Sequence, residues 1–158
     1  MTPAFEPAVA PAPIATAETE AEEFDSLAEA VAAQDAAASS DALQCLAGAV
    51  YFESKGEPLA GQLAVAEVII NRAKSGRFAT DVCGVVTQRG QFSFVRGGRI
   101  PPINANKAYR TAIAVAKVAL ASAWDSPAPK ALFFNTPNRS PGGRLTKIAA
   151  IGHHIFYR

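Results

Sequence analysis

At 158 residues the chain has room for one domain of ordinary size, or for a smaller domain with a tail. Its net charge of +1 conceals a division: residues 1–40 hold eight of the 14 acidic residues and no Lys or Arg, leaving six acids against all 15 basic residues, a charge of +9, in residues 41–158. So basic a body points to a polyanionic partner or surface (nucleic acid, anionic cell envelope or phospholipid headgroups), with charge for solubility as the alternative, and no apolar run approaches the ~20 residues that would cross a bilayer.

In chain order, residues 1–16 are rich in Ala, Pro and Glu. They bury too little apolar surface to offset the entropy of ordering and are expected to be disordered. Residues 20–38 have the propensity for a helix with Phe24, Leu27 and Val31 on one stripe, marginal in isolation. Folded structure is expected from Asp41, dividing the chain into an acidic arm, 1–40, and a domain, 41–158. No signal peptide, with its charged start and apolar middle, is visible.

The domain opens on SSDALQCLAGAVYFESKGEP, a helix with a Ser or Asp cap, ended by Gly56 and Pro58. Its apolar stripe of Leu43, Leu46, Ala47 and Val50 runs on to Glu53 and Ser54. PLAGQLAVAEVIINRAKSG follows as a second helix, with Pro58 in its first turn. That helix is apolar nearly all round, as a central core helix would be, with Glu67, Asn71 and Lys74 as its polar seam. A short helix is expected in ATDVCGVVTQ, an aromatic strand in QFSFV, and a break at RGGRIPPIN. NANKAYRTAIAVAKVALASAW is a third strong helix, and ALFFN and IAAIGHHIFY are β-like, joined by the loop TPNRSPGGRL. Helices first and a small antiparallel sheet late define an α+β fold.

Glu53 ends an apolar helical face, where desolvation raises a carboxyl pKa toward the range a general acid needs. The alternative is an ion pair with Lys55 or an arginine. Glu57, after the glycine, suits the positive end of the next helix. His153 and His154 are adjacent, so in a strand they point to opposite faces and cannot share a metal; no metal or other cofactor is expected. Cys45 and Cys83 lack metal-ligand spacing and form either a disulfide or two buried thiols. No nucleophile elbow, P-loop or GxGxxG occurs. RGGR either touches phosphates or turns the chain, and the aromatics Phe92, Phe94, Phe133, Phe134, Phe156 and Tyr157 read as a core face before a nucleic-acid platform.

The stretch CLAGAVYFESKGEPLAGQLAVAEVIINRAKSGRFATDVCGVVTQRGQFSF closely resembles the bacterial cell wall hydrolase family that includes the spore cortex-lytic enzymes. That family's pattern is a tyrosine-bearing helix ending in Glu-Ala-Arg-Gly-Glu, then GQ.AVA.V..NR, a Val-Cys-Gly-Val-Val-like segment and Gln-Phe-Ser. Tyr51, Glu53, Gly56, Glu57, Pro58, Gly61, Gln62, Asn71 and Arg72 match it, with Val82–Val86 and Gln91–Ser93; IGHHIFYR is similar to its final strand. The chain departs from it at Ser54-Lys55 in place of Ala-Arg, at Gly90 and Val95 where relatives carry cysteines, and at FFNTPNRSPGG, where a segment rich in Tyr and His is expected.

The resemblance implies a lysozyme-like fold over residues 43–158, with helices around the core helix. It also implies cleavage of the bond between N-acetylmuramic acid and N-acetylglucosamine in peptidoglycan, outside the cytoplasm, in the periplasm or beyond. Glu53 maps onto the catalytic acid. A single-acid scheme yielding a 1,6-anhydro product is expected, with hydrolysis through a second carboxylate at Glu57 as the alternative. Tyr51, Gln91 and Ser93 are expected to bind the sugar, with peptidoglycan strands as the partner, no nucleic acid, and a monomer as the acting form. The acidic arm is expected to shield the basic body until wall is met. A wall-binding module without activity and a nucleic-acid-binding domain are the competing classes.

Overall fold

The computed structural model describes residues 24–35, 37–139 and 142–158; the disorder expected for residues 1–16 lies outside them. Among the described residues the order is α1 (Leu27–Ala32), α2 (Asp41–Ser54), α3 (Leu59–Lys74), α4 (Val82–Thr87), α5 (Lys107–Ala121), β1 (Phe133–Asn135), β2 (Lys147–Ile151) and β3 (His154–Tyr157). The fold is α+β, as the order of patterns predicts. Ser40, Asp81 and Asn106 cap α2, α4 and α5, each accepting an orphan N–H of the first turn. Pro58 takes the cap position of α3 itself.

α3 is central because both of its sides are covered. Leu63, Ala66 and Ile69 pack with Leu46, Val50, Val115 and Val118 of α2 and α5. Ala64, Val65 and Val68 face Ala128, Ala131 and the fully buried Phe156 of the sheet. A helix with two apolar neighbours cannot afford a polar face, which explains its all-round apolarity. Of the polar seam, Lys74 is exposed, while Glu67 and Asn71 are half-buried. Asn71 donates to the carbonyl of Ala131 at 3.0 Å, and Glu67 has one carboxyl oxygen buried without a partner among the described residues. Burial raises the Glu67 pKa, against a hydrogen bond from Ser126 that lowers it.

The sheet has the order β1-β3-β2, antiparallel throughout, pairing Phe134 with Phe156 and Ala150 with Ile155. IAAIGHHIFY is thus a hairpin, not one β segment, turning at Gly152 (φ +57°) and His153. The two histidines are not strand neighbours: His153 is an exposed turn residue and His154 is buried.

QFSFV forms no strand. Gln91 and Val95 donate their N–H groups to the carbonyls three residues back, Gln88 and Phe92. The rings of Phe92 and Phe94 stack at 5.6 Å, and Phe94 stacks on Phe52 of α2 at 4.9 Å. Alternating aromatics here anchor consecutive turns to a helical core, since none of the described strands pairs with them. RGGR turns the chain, with Arg96 and Arg99 exchanging backbone hydrogen bonds.

The helix expected within 20–38 is realised as α1. Ala30 is fully buried, Phe24, Leu27 and Val31 pack against the core, and Asp35 pairs with Lys117 of α5 at 2.9 Å. Tertiary packing supplies what propensity alone lacks. A disulfide joins Cys45 of α2 to Cys83 of α4, closing a loop that contains α3. No described helix is long and apolar enough to cross a membrane.

Candidate active site

α2 stops where its apolar stripe reaches Glu53. Ser54 continues the buried face, donating its Oγ–H to the carbonyl of Val50 at 2.8 Å, and Gly56 (φ +79°) reverses the chain into α3. Glu53 is left at the rim of a cleft of about 580 Å³ between this helix end, the Gly90–Ser93 turn and the sheet. Gln91, Ser93, Asn135, His154 and Arg72 also line it, with Phe92 and Phe134 as apolar wall. Two smaller hollows adjoin it. One of about 350 Å³ shares Gly90 and Phe92 and reaches Arg89 and Gly98; one of about 270 Å³ shares Arg72 and Arg139 and reaches Leu145.

Glu53 has no ion-pair partner among the described residues. Lys55 lies instead over the Tyr51 ring at 4.7 Å, so the salt-bridge alternative for Glu53 is not realised. Burial alone raises the Glu53 pKa above its ordinary value, which favours the protonated carboxyl a general acid requires. Glu53 is also the one carboxylate among the residues lining this cleft.

Gln91 and Ser93 line the cleft with Glu53; Tyr51 does not. Two residues along a helix separate side chains by about 200°, so Tyr51 leaves α2 on another side. It meets Tyr109 edge-on at 5.9 Å, and its hydroxyl accepts from Asn106, the cap of α5, at 3.3 Å. Nor does Glu57 line the cleft. Its Oε1 accepts the N–H of His153 at 3.0 Å and lies 3.5 Å from His154 Nδ1, so from its place just before the cap of α3 it is set against the hairpin.

Arg72 matches the family's pattern, but the sequence alone assigned it no role. Buried in the last turns of α3, it donates Nε–H to the carbonyl of Leu132 at 2.7 Å and a terminal N–H to Gln91 Oε1 at 3.4 Å. The rings of Phe78, Phe133 and Phe92 lie 4.8, 5.6 and 5.8 Å from its guanidinium carbon. Cation–π contact and the helix C-terminus offset burial, which lowers its pKa. Because Gln91 Oε1 is an acceptor here, its amide N–H groups are the end free to meet a ligand. The available signal was a charged residue lying off the polar seam of a largely apolar helix.

A cleft with one desolvated carboxylic acid at a helix end, lined also by amide and hydroxyl groups, has the parts of an acid–base site. The chain belongs to the cell wall hydrolase family, whose model matches residues 56–157. Glu53 stands just before the matched stretch. The catalytic domain of the germination-specific lytic transglycosylase SleB from Bacillus anthracis is 36% identical and superposes with a TM-score of 0.63, over 76% of this chain and 96% of that one. The catalytic domain of the Bacillus cereus SleB protein gives 36% and 0.61, over 74% and 89%. The spore cortex-lytic enzymes of Bacillus cereus and Bacillus subtilis are 38% and 37% identical over 120 and 125 residues, covering 72% and 75% of this chain. The chain spans only 43% and 38% of those two curated relatives.

Proposed function

We propose that the domain cleaves the glycosidic bond between N-acetylmuramic acid and N-acetylglucosamine in peptidoglycan, as a lytic transglycosylase with Glu53 as its one acid and base. Protonated Glu53 donates to the glycosidic oxygen as the bond to the muramic C1 breaks. The resulting carboxylate then takes the proton of the same sugar's C6 hydroxyl while that oxygen bonds to C1. A 1,6-anhydro end forms, no water is consumed, and Glu53 is protonated again. Gln91 and Ser93 hold the sugar by hydrogen bonds.

The observation that carries this reading is that Glu53 is both desolvated and the sole carboxylate among the cleft's lining residues. Hydrolysis by either usual route employs a second carboxylate flanking the bond, and Glu57 faces the hairpin instead. The likeness to a domain described as a lytic transglycosylase supports the same choice. The catalytic unit is residues 41–158 with α1 docked on it, and a cleft built within one chain supports action as a monomer. The basic body would draw this domain to anionic wall polymers, an attraction that salt screens. The Cys45–Cys83 bond fits an oxidising compartment, the periplasm or another extracytoplasmic space.

Mass spectrometry of soluble products from purified sacculi tests this, wild type beside Glu53→Gln. Anhydromuramoyl ends that vanish in the variant are expected. Reducing muramic acid ends would mean hydrolysis, and binding to sacculi without release would mean a wall-binding module.

A further inference from the structure

The cleft contains a second titratable side chain for which the scheme above has no use. His154 begins β3 and forms part of the cleft wall. Only 8% of its side chain is exposed, and Nδ1 is buried without a hydrogen-bond partner. Glu57 Oε1 lies 3.5 Å from that nitrogen, on a side chain itself 11% exposed. The same oxygen accepts the N–H of His153, so the carboxylate is held against the hairpin before any ligand arrives. The Phe134 ring, edge-on at 5.3 Å, helps fix the plane of the imidazole.

We propose that Glu57 and His154 form a positioning pair for the glycan: Glu57 holds the imidazole as its Nδ1–H tautomer, and Nε2 accepts a hydrogen bond from a hydroxyl or amide N–H of the sugar bound beside Glu53. A carboxylate next to Nδ1 selects the tautomer with its proton there and leaves the lone pair on Nε2. The donor is a neutral group, since N-acetylated sugars offer only hydroxyl and amide N–H donors. The inference rests on the reading of the cleft as a glycan site and gives Glu57 a part in binding rather than in bond cleavage.

The acceptor exists only while His154 is neutral. Burial lowers its pKa from the ordinary 6.5, Glu57 raises it, and His153 lowers it. The other charged groups on the cleft are Glu53, Arg72 and Arg139. Activity is therefore lost on the acidic side as His154 takes a second proton and on the basic side as Glu53 loses its own.

The test is the pH profile of muropeptide release from sacculi by the full chain, with Glu57→Gln, His154→Phe and His154→Gln beside wild type and a thermal melt of each. His154→Phe is expected to lower kcat/KM roughly tenfold, mainly through KM, as loss of one hydrogen bond to a buried group does. His154→Gln, whose amide oxygen reaches the place of Nε2, should recover most of that loss even where Phe destabilises the fold. Glu57→Gln should move the acidic limb to lower pH, because the charge that favours the imidazolium is gone. A KM and an acidic limb unchanged in all three variants would overturn the pair while leaving the glycan reading intact. A wild type that neither binds nor cleaves sacculi would overturn both.

Discussion

The carboxylate of Glu57 accepts a hydrogen bond from the main-chain N–H of His153, 96 residues further along the chain, at 3.0 Å. It ties the turn between α2 and α3, where Glu53 ends its helix, to the hairpin that carries His154. The Glu57 side chain is one tie between the two walls of the cleft, beside that of Arg72 to Leu132 and Gln91.

Gly152 makes that contact possible. Its φ is +57°, and a Cβ there would strike Glu57 Oε2 and crowd Pro58. Gly152→Ala should destabilise the protein by about 1–3 kcal/mol, combining backbone strain with loss of the clamp. Urea denaturation at neutral pH measures it, and a loss below about 0.5 kcal/mol would show that the hairpin shifts freely.

Arg72→Lys should cost about 1–3 kcal/mol, since an ammonium cannot reproduce the guanidinium's fork to Leu132 and Gln91. It should also lower kcat/KM several-fold by freeing the Gln91 amide to rotate. If Arg72 acts through Gln91, the double variant with Gln91→Ala loses little more activity than Gln91→Ala alone. Additive losses would assign Arg72 a separate role.

Glu53 links catalysis to stability with a definite sign. Its folded pKa is raised above the unfolded value, near 4.5, so its protonated form stabilises the fold. That contribution is full below the unfolded pKa and is lost as pH rises through the folded one. Glu53→Gln, while inactive, should therefore melt at a higher temperature than wild type at pH 7 and at the same temperature at pH 4. Identical melting at both pH values would remove the case for a desolvated acid.

Removing the disulfide with Cys45→Ser and Cys83→Ser should cost about 2–4 kcal/mol, mostly by freeing the unfolded chain. Both cysteines lie outside the lining of the Glu53 cleft, so kcat/KM measured well below the melting temperature should stay within about twofold. A large loss of activity in a folded variant would mean that the α2–α4 tie sets the cleft.

Much of the architecture is local and could be read directly. Periodic apolar stripes, caps at Ser40, Asp81 and Asn106, and glycines at helix ends specify their helices with neighbours only a few residues away. The all-round apolarity of Leu59–Lys74 already implied a helix covered on both sides. Glu53 was legible for the same reason: its position on a buried stripe follows from the helical repeat.

What the repeat could not decide was which partner each polar or aromatic group would find. Alternation in QFSFV fits a strand, but pairing needs a second edge at the right place, and Phe92 and Phe94 found a helical core instead. Tyr51 matches the family's pattern, but its rotation about α2 sends it to Asn106 and Tyr109. Arg72 reaches Leu132 and Gln91, and Glu57 reaches His153 and His154, across sequence separations that no local pattern spans. The sequence by itself determined the helices, the core helix and the placing of one acid at a helix end, because those depend on periodicity. Only the tertiary structure decided the cleft around that acid, because buried charges and rings take partners according to which surfaces the packed chain brings within a few ångströms.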